Sequence, residues 1–195
     1  MRRRAAAEGA STLQRASAPL AWRYATPAIV LHWLVAALIV FMASLGWWMM
    51  TVEHEPEGPG LFDLHKSIGL ILLALVALRV LWRLGHRPEP LPTGVPRWQV
   101  VLSRVTQAVL YLLMIAVPLA GLLGAIYSRT GLTFFGTHVP RWVTADRPTA
   151  KQFFELHETL VWVLVACVAL HVVGGLKHLL VDRDQVFGRM WLGRR

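Results

Sequence analysis

The sequence predicts an all-α integral membrane protein, a bundle of four transmembrane helices. Three observations carry this prediction. Apolar and aromatic residues make up 55% of the 195 residues, they gather in four long segments, and Lys and Arg concentrate at the ends of those segments. A helix needs about 20 mainly apolar residues to cross the hydrocarbon layer of a bilayer, and each segment reaches that length.

The four segments have recognisable ends, and they run over about 27–50, 64–84, 98–127 and 150–180. Pro27 suits the first turn of a helix, and Thr26 can cap that turn. Pro118 lies inside the third segment, where a kink is expected. The basic, alanine-rich residues 1–23 are expected to be disordered, and residues 24–195 to form one domain.

The distribution of Lys and Arg predicts how the helices cross the membrane. Fifteen lie in the N-terminal segment, around the link between the second and third spans, and in the tail, against five on the other side. Basic residues favour the cytoplasmic side, so both termini are expected there. The proline-rich link 87–92 is expected to be extended, and the longer link 128–149 to lie in the membrane interface as a lid.

The basic balance of the chain has two possible meanings. A net charge of +9 can indicate nucleic-acid binding. The basic residues, however, flank apolar spans and form no motif of a nucleic-acid fold. We therefore expect lipid around the protein and no nucleic-acid partner. The lone Cys167 lies within a span and is interpreted as a small packing residue.

Histidines within the spans are the first candidates for function, because an ionisable side chain in a membrane is costly. His157 and His171 are fourteen residues apart in the fourth span. At about 100° and 1.5 Å per residue, they share one helix face and differ in depth by about 21 Å. His32 lies early in the first span and His65 opens the second. Depth therefore pairs His65 with His157 on the outer side, and His32 with His171 towards the cytoplasm.

Two facing pairs of histidines in a helical bundle indicate two haems, each with two axial imidazoles. Zinc is the alternative metal, but it needs a compact tetrahedral ligand set that pairs roughly 20 Å apart cannot close. A further alternative is that the histidines only form hydrogen bonds between helices. Haem is favoured by nearby residues without side chains, which leave room for a flat macrocycle: Gly69, Gly174 and Gly175. Iron with two protein ligands passes electrons rather than activating oxygen.

Charged residues near the two haem levels complete the candidate site. Arg79 lies at the depth of the inner haem and is a candidate partner for a propionate; alternatively, it snorkels and sets orientation. His178, seven residues after His171, is a candidate for proton exchange with a quinone, or a plain interfacial histidine. Four outer basic residues either bind propionates, attract a small anion or are solvated: Lys66, Arg129, Arg141 and Lys151.

Several short motifs resemble the bacterial cytochrome b561 family. They are His32-Trp33-Leu34, His65-Lys66-Ser67-Ile68-Gly69, Tyr111-Leu112-Leu113, Pro118-Leu119-Ala120-Gly121, Leu156-His157-Glu158 and Leu170-His171. The resemblance covers about residues 23–191. It implies a multi-pass protein of the bacterial inner membrane with two b-type haems, whose iron ligands are His32, His65, His157 and His171.

The resemblance also implies an activity. The chain is similar to a member of this family that oxidises superoxide at the outer face and reduces ubiquinone. The outer basic residues would then steer superoxide, and His178 would lie beside the inner quinone. Other relatives are cytochrome b subunits that anchor hydrogenases or dehydrogenases. The alternative function is therefore an anchor that passes electrons between a peripheral redox partner and the quinone pool. The third alternative is a haem-free transporter or structural membrane protein.

Overall fold

Four apolar stretches form four long helices in the computed structural model, which describes residues 23–86, 96–184 and 186–191. The helices are α1 (Thr26–Thr51), α2 (Gly58–Gly85), α3 (Arg97–Tyr127) and α4 (Arg147–Lys177). All four are long and apolar enough to cross a membrane, which confirms the predicted fold class. The predictions of disorder before Arg23 and of an extended link at 87–92 lie outside the described residues.

The start of α2 and both ends of α4 differ from the predicted positions by three residues or more. Helix α2 begins at Gly58, ahead of the apolar run, with a proline in its first turn. Proline is tolerated there because the first N–H groups of a helix have no intrahelical partner. Because Asp63 interrupts the apolar pattern, hydropathy alone predicts a start for this helix that is too late in the chain. Helix α4 ends at Lys177 and continues as a π-helical turn, His178–Asp182.

Buried side chains between the helices form two apolar clusters. One joins α1 to α2 through Val35, Leu72 and Val76. The other joins α3 to α4 and contains four buried residues, which are Leu110, Leu113, Val117 and Leu164. Met114 packs against both clusters and connects them. The outward faces keep large apolar side chains exposed, such as Leu112 at 67%. That is the pattern expected where lipid, not water, covers the bundle.

One end of the bundle carries a small hairpin, and we call it the hairpin end. Strands β1 (Thr133–Phe134) and β2 (Thr137–His138) pair antiparallel within the long link between α3 and α4. The backbone N–H of Phe135 donates to Ser67 Oγ at 2.8 Å, and that of Gly136 donates to Asp63 Oδ2 at 2.7 Å. The hairpin is therefore fastened to the first turns of α2, close to His65.

The two termini of the described chain meet at the opposite end, which we call the termini end. A short 3₁₀ turn, Phe187–Met190, folds back against the start of α1. The N–H of Tyr24 donates to the Arg189 carbonyl at 3.3 Å, and Trp33 Nε1 donates to the Met190 carbonyl at 2.7 Å. The buried Arg189 guanidinium also lies over the Tyr24 ring. This segment closes the bundle beside His32.

Candidate functional site

At the hairpin end, the rings of His65 and His157 face each other from α2 and α4. Their centroids are 6.3 Å apart, and their planes make an angle of 84°. Nδ1 of His157 lies 2.8 Å from the Val117 carbonyl oxygen, which can only accept, so Nδ1 carries the proton. Nε2 of the neutral ring therefore keeps its lone pair. Nδ1 of His65 is buried and has no hydrogen-bond partner among the described residues.

Two glycines make room for these rings. A Cβ atom at Gly46 would lie 3.3 Å from Cε1 of His65, and one at Gly121 would lie 2.9 Å from Nδ1 of His157. The latter distance is below ordinary van der Waals contact. At Gly69, which the sequence singled out, a Cβ atom would only meet Met42 at an ordinary 3.6 Å. Sequence reasoning missed Gly46, although its depth on α1, level with His65, could have indicated it.

At the termini end, the rings of His32 and His171 form a second pair, with centroids 6.2 Å apart and planes at 72°. Arg79 reaches this pair from α2: Nη1 donates to the Ala28 carbonyl at 3.1 Å, and Nη2 lies 3.2 Å from Nδ1 of His32. Beside His171, a Cβ atom at Gly174 would meet no atom of the described residues within 4 Å. The histidines thus meet in the two pairs that helix depth predicts, and Arg79 lies at the termini-end pair.

The geometry of both pairs fits a metal held between two imidazoles. Metal–nitrogen bonds of about 2.0 Å, added to the two ring radii, place the centroids of opposed ligands about 6 Å apart. His157 has the form that ligates a metal, with the second nitrogen donating to a backbone carbonyl. His32 fits with one change. Because a guanidinium only donates, its contact with Nδ1 is incompatible with ligation through Nε2 of the neutral ring, and Arg79 must then turn to another acceptor.

The four basic residues that the sequence predicts on the outer side separate into two groups. Lys66 Nζ donates to the Gly131 carbonyl at 3.4 Å, and the Arg141 guanidinium donates to the Arg129 carbonyl and packs against Gly131. Lys66 and Arg141 therefore both contact the loop that contains Arg129 and Gly131. Lys151 instead pairs with Glu155 at 3.5 Å on α4, where its side chain is 75% exposed.

His178 lies beyond His171 at the termini end, with a side chain that is 18% exposed. Its Nδ1 is 2.7 Å from Asp184 Oδ2 and 3.4 Å from Asp182 Oδ2, while Lys177 Nζ is 2.5 Å from Asp182. Sequence reasoning did not connect Asp184 with His178. The possible signal was a pair of carboxylates four and six residues after a histidine, where the helix ends.

Paired histidines at two depths of a four-helix membrane bundle define a class, the membrane cytochromes that hold b-type haem between helices. The chain belongs to one family of that class. Residues 23–193 match the model of the family described as prokaryotic cytochrome b561. It is therefore a multi-pass bacterial membrane protein of electron transfer that binds b-type haem, as the resemblance in the sequence implied.

Three relatives illustrate the likeness. The chain is 32% identical over 174 residues to cytochrome b561 homolog 2 of Escherichia coli (strain K12). The aligned region covers 86% of this chain and 90% of the relative. It is 24% identical over 181 residues to cytochrome b561 homolog 1 of the same organism, covering 89% and 99%. It is 27% identical over 179 residues to the probable superoxide oxidase CybB of Yersinia pestis, covering 89% and 98%.

Proposed function

We propose that the protein carries electrons across the membrane through two b-type haems. His65 and His157 would hold one, and His32 and His171 the other. The observation that carries this proposal is the presence of two facing ring pairs, at 6.3 and 6.2 Å, that share helix α4. Each haem, held by two imidazoles, would supply a site that accepts and donates one electron. Two such sites about 21 Å apart along one helix connect the faces of the bilayer.

The protein's own groups orient the ligands and balance the charge of the cofactor. The bond from His157 to the Val117 carbonyl sets the ring's tautomer and direction. Arg79 provides a cation at the termini-end pair, and ligation by His32 would free it to pair with a propionate carboxylate. Gly46 and Gly121 leave the space that the outer ligand rings occupy.

Superoxide is the electron donor that the outer residues favour. Lys66 follows His65 directly, and its ammonium lies beside the loop that carries Arg129 and Arg141. A cationic group of this kind attracts a small anion. A relative from Yersinia pestis is described as a probable superoxide oxidase. This supports superoxide oxidation at the hairpin end, which the excess of Lys and Arg at the other end assigns to the periplasmic side.

Ubiquinone is the proposed acceptor at the termini end, near His178. Two superoxide anions each give up one electron and become O₂. One ubiquinone takes up both electrons and two protons and becomes ubiquinol. The half-buried His178 imidazole lies about 10 Å beyond His171 along the helix, where it can exchange protons with the aqueous phase.

Rapid mixing of the purified protein in lipid nanodiscs tests this function. Metal analysis should first give two irons per chain. Superoxide should then reduce the haems, which is observed as the b-type absorption band of the reduced protein. Superoxide dismutase should abolish that electron transfer, and a short-chain ubiquinone should reoxidise the reduced protein. One iron per chain or none would contradict the two-haem arrangement. Haem reduction that superoxide dismutase does not affect would exclude superoxide. Co-purification of a stoichiometric dehydrogenase would favour the anchor function.

A further inference from the structure

A carboxylate and an imidazole form a close pair where α4 ends. After the π-helical turn His178–Asp182, Arg183 takes a left-handed conformation with φ of 50°. This reversal brings Asp184 back over the turn, where its N–H donates to the His178 carbonyl at 3.2 Å. Its Oδ2 then lies 2.7 Å from His178 Nδ1. The pair is therefore a product of backbone geometry, not of two exposed side chains that meet by chance.

The Asp184 carboxylate is held on both oxygens. Oδ1 accepts from the Val186 N–H at 2.9 Å, and Oδ2 faces the imidazole. The neighbouring Asp182 is 3.4 Å from the same ring nitrogen, but its oxygen lies 2.5 Å from Lys177 Nζ. Asp182 is thus mainly the partner of Lys177, and Asp184 the partner of His178.

This arrangement selects one tautomer of His178. An ionised carboxylate only accepts hydrogen bonds, so the proton of the neutral ring lies on Nδ1 and Nε2 keeps its lone pair. The carboxylate also stabilises the imidazolium that forms when Nε2 takes up a proton. Further charged groups near the ring are Asp182 on the same turn and Lys177, the last residue of α4, which pair with each other. The packed 3₁₀ turn carries Arg189, which is buried against Tyr24.

We propose that Asp184 is a positioning residue for proton delivery at the termini end, an inference that rests on the proposed quinone reduction. Nε2 of His178 takes a proton from the aqueous phase, and the imidazolium gives that proton to an oxygen of the quinone as the oxygen gains electron density. Two such transfers supply the two protons that accompany two electrons. The Asp184 carboxylate neither gains nor loses a proton in these transfers. It returns the ring to the Nδ1–H tautomer after each one.

The test compares variants of the haem-loaded, full-length protein, using ubiquinone-1 as the probe. Asp184→Asn places an amide N–H opposite Nδ1 and favours the wrong tautomer. Haem content and reduction by superoxide should be unchanged, while reoxidation by ubiquinone-1 should slow at least about tenfold. Asp184→Glu should restore most of the rate. Asp182→Asn is the matched control, and we expect it to change the rate less than about twofold.

A second measurement reads the pair itself, independently of turnover. In ¹⁵N-histidine-labelled protein, His178→Gln identifies the His178 ring signals. The parent chain should show a protonated Nδ1 and an unprotonated Nε2, and Asp184→Asn should shift that balance. An opposite tautomer in the parent chain would overturn the proposal. So would a normal quinone step in Asp184→Asn when His178→Gln slows it. If ubiquinone-1 fails to reoxidise even the parent protein, both the proposed function and this relay are wrong.

Discussion

Nδ1 of His157 lies 2.8 Å from the carbonyl oxygen of Val117, so the backbone of α3 orients a ring that belongs to α4. Val117 is also a buried member of the cluster that joins these two helices. The His157 ring is therefore held by the same packing that holds the bundle together. A ring oriented in this way loses little freedom when it binds a metal, which favours binding.

Loss of one histidine should remove one haem and leave the other. His157→Ala is expected to empty the hairpin-end pair, since a haem between two imidazoles then keeps only one protein ligand. His171→Ala should do the same at the termini end. Haem and iron per chain should fall from two to one in each variant, and the two remaining absorption spectra should differ. A replacement that leaves both haems bound with unchanged spectra would show that the pairing is wrong.

Gly121→Ala should disturb the hairpin-end pair selectively. The added methyl group would lie 2.9 Å from His157 Nδ1, so the ring or the helix must shift. Overpacking of this kind costs about 1–3 kcal/mol. We expect a lower thermal midpoint and partial loss of one haem, measured by calorimetry and haem content. Gly60→Ala, in the first turn of α2, is the control, because its methyl group would meet nothing within 4 Å among the described residues; an equal loss in both variants would contradict the mechanism.

Lys66→Gln should slow the reaction with superoxide. Lys66 follows His65 in sequence, and its ammonium contacts the loop at Gly131. Removing one charge from a steering group lowers the association rate, here by roughly twofold to tenfold. The measurement is the rate of haem reduction by superoxide at low and high ionic strength, and the difference between the two proteins should shrink with added salt. Lys151→Gln, which removes a charge already paired with Glu155, should have a smaller effect. Identical rates for the parent and Lys66→Gln at low salt would remove Lys66 from the donor site.

Arg79→Gln should lower the reduction potential of the termini-end haem. A nearby cation stabilises the reduced state, which carries one positive charge fewer, and its removal should shift the potential by an amount on the order of tens of millivolts. Spectroscopic redox titration measures the two potentials. Arg83→Gln is the matched control, because Arg83 reaches Gln107 instead of the histidine pair. An unchanged potential would show that Arg79 only sets orientation.

The sequence by itself determined the four spans and the pairing of histidines by depth. Both depend on quantities that add up along the chain: hydropathy over a span, and about 1.5 Å of rise for each helical residue. Such quantities need no knowledge of neighbouring helices. A prediction from hydropathy also places the start of α2 too late, because the polar first turn of this helix contributes nothing to hydropathy.

Only the tertiary structure decided which groups touch the histidines. The Val117 carbonyl, the Gly46 and Gly121 faces and the Asp184 carboxylate each meet an imidazole because of how two segments are rotated and brought together. Rotation about a helix axis is set by packing against other helices, and lipid-facing apolar residues give no amphipathic pattern from which to read it. Depth could thus be predicted from the sequence, whereas the lateral neighbours that orient each ring could not.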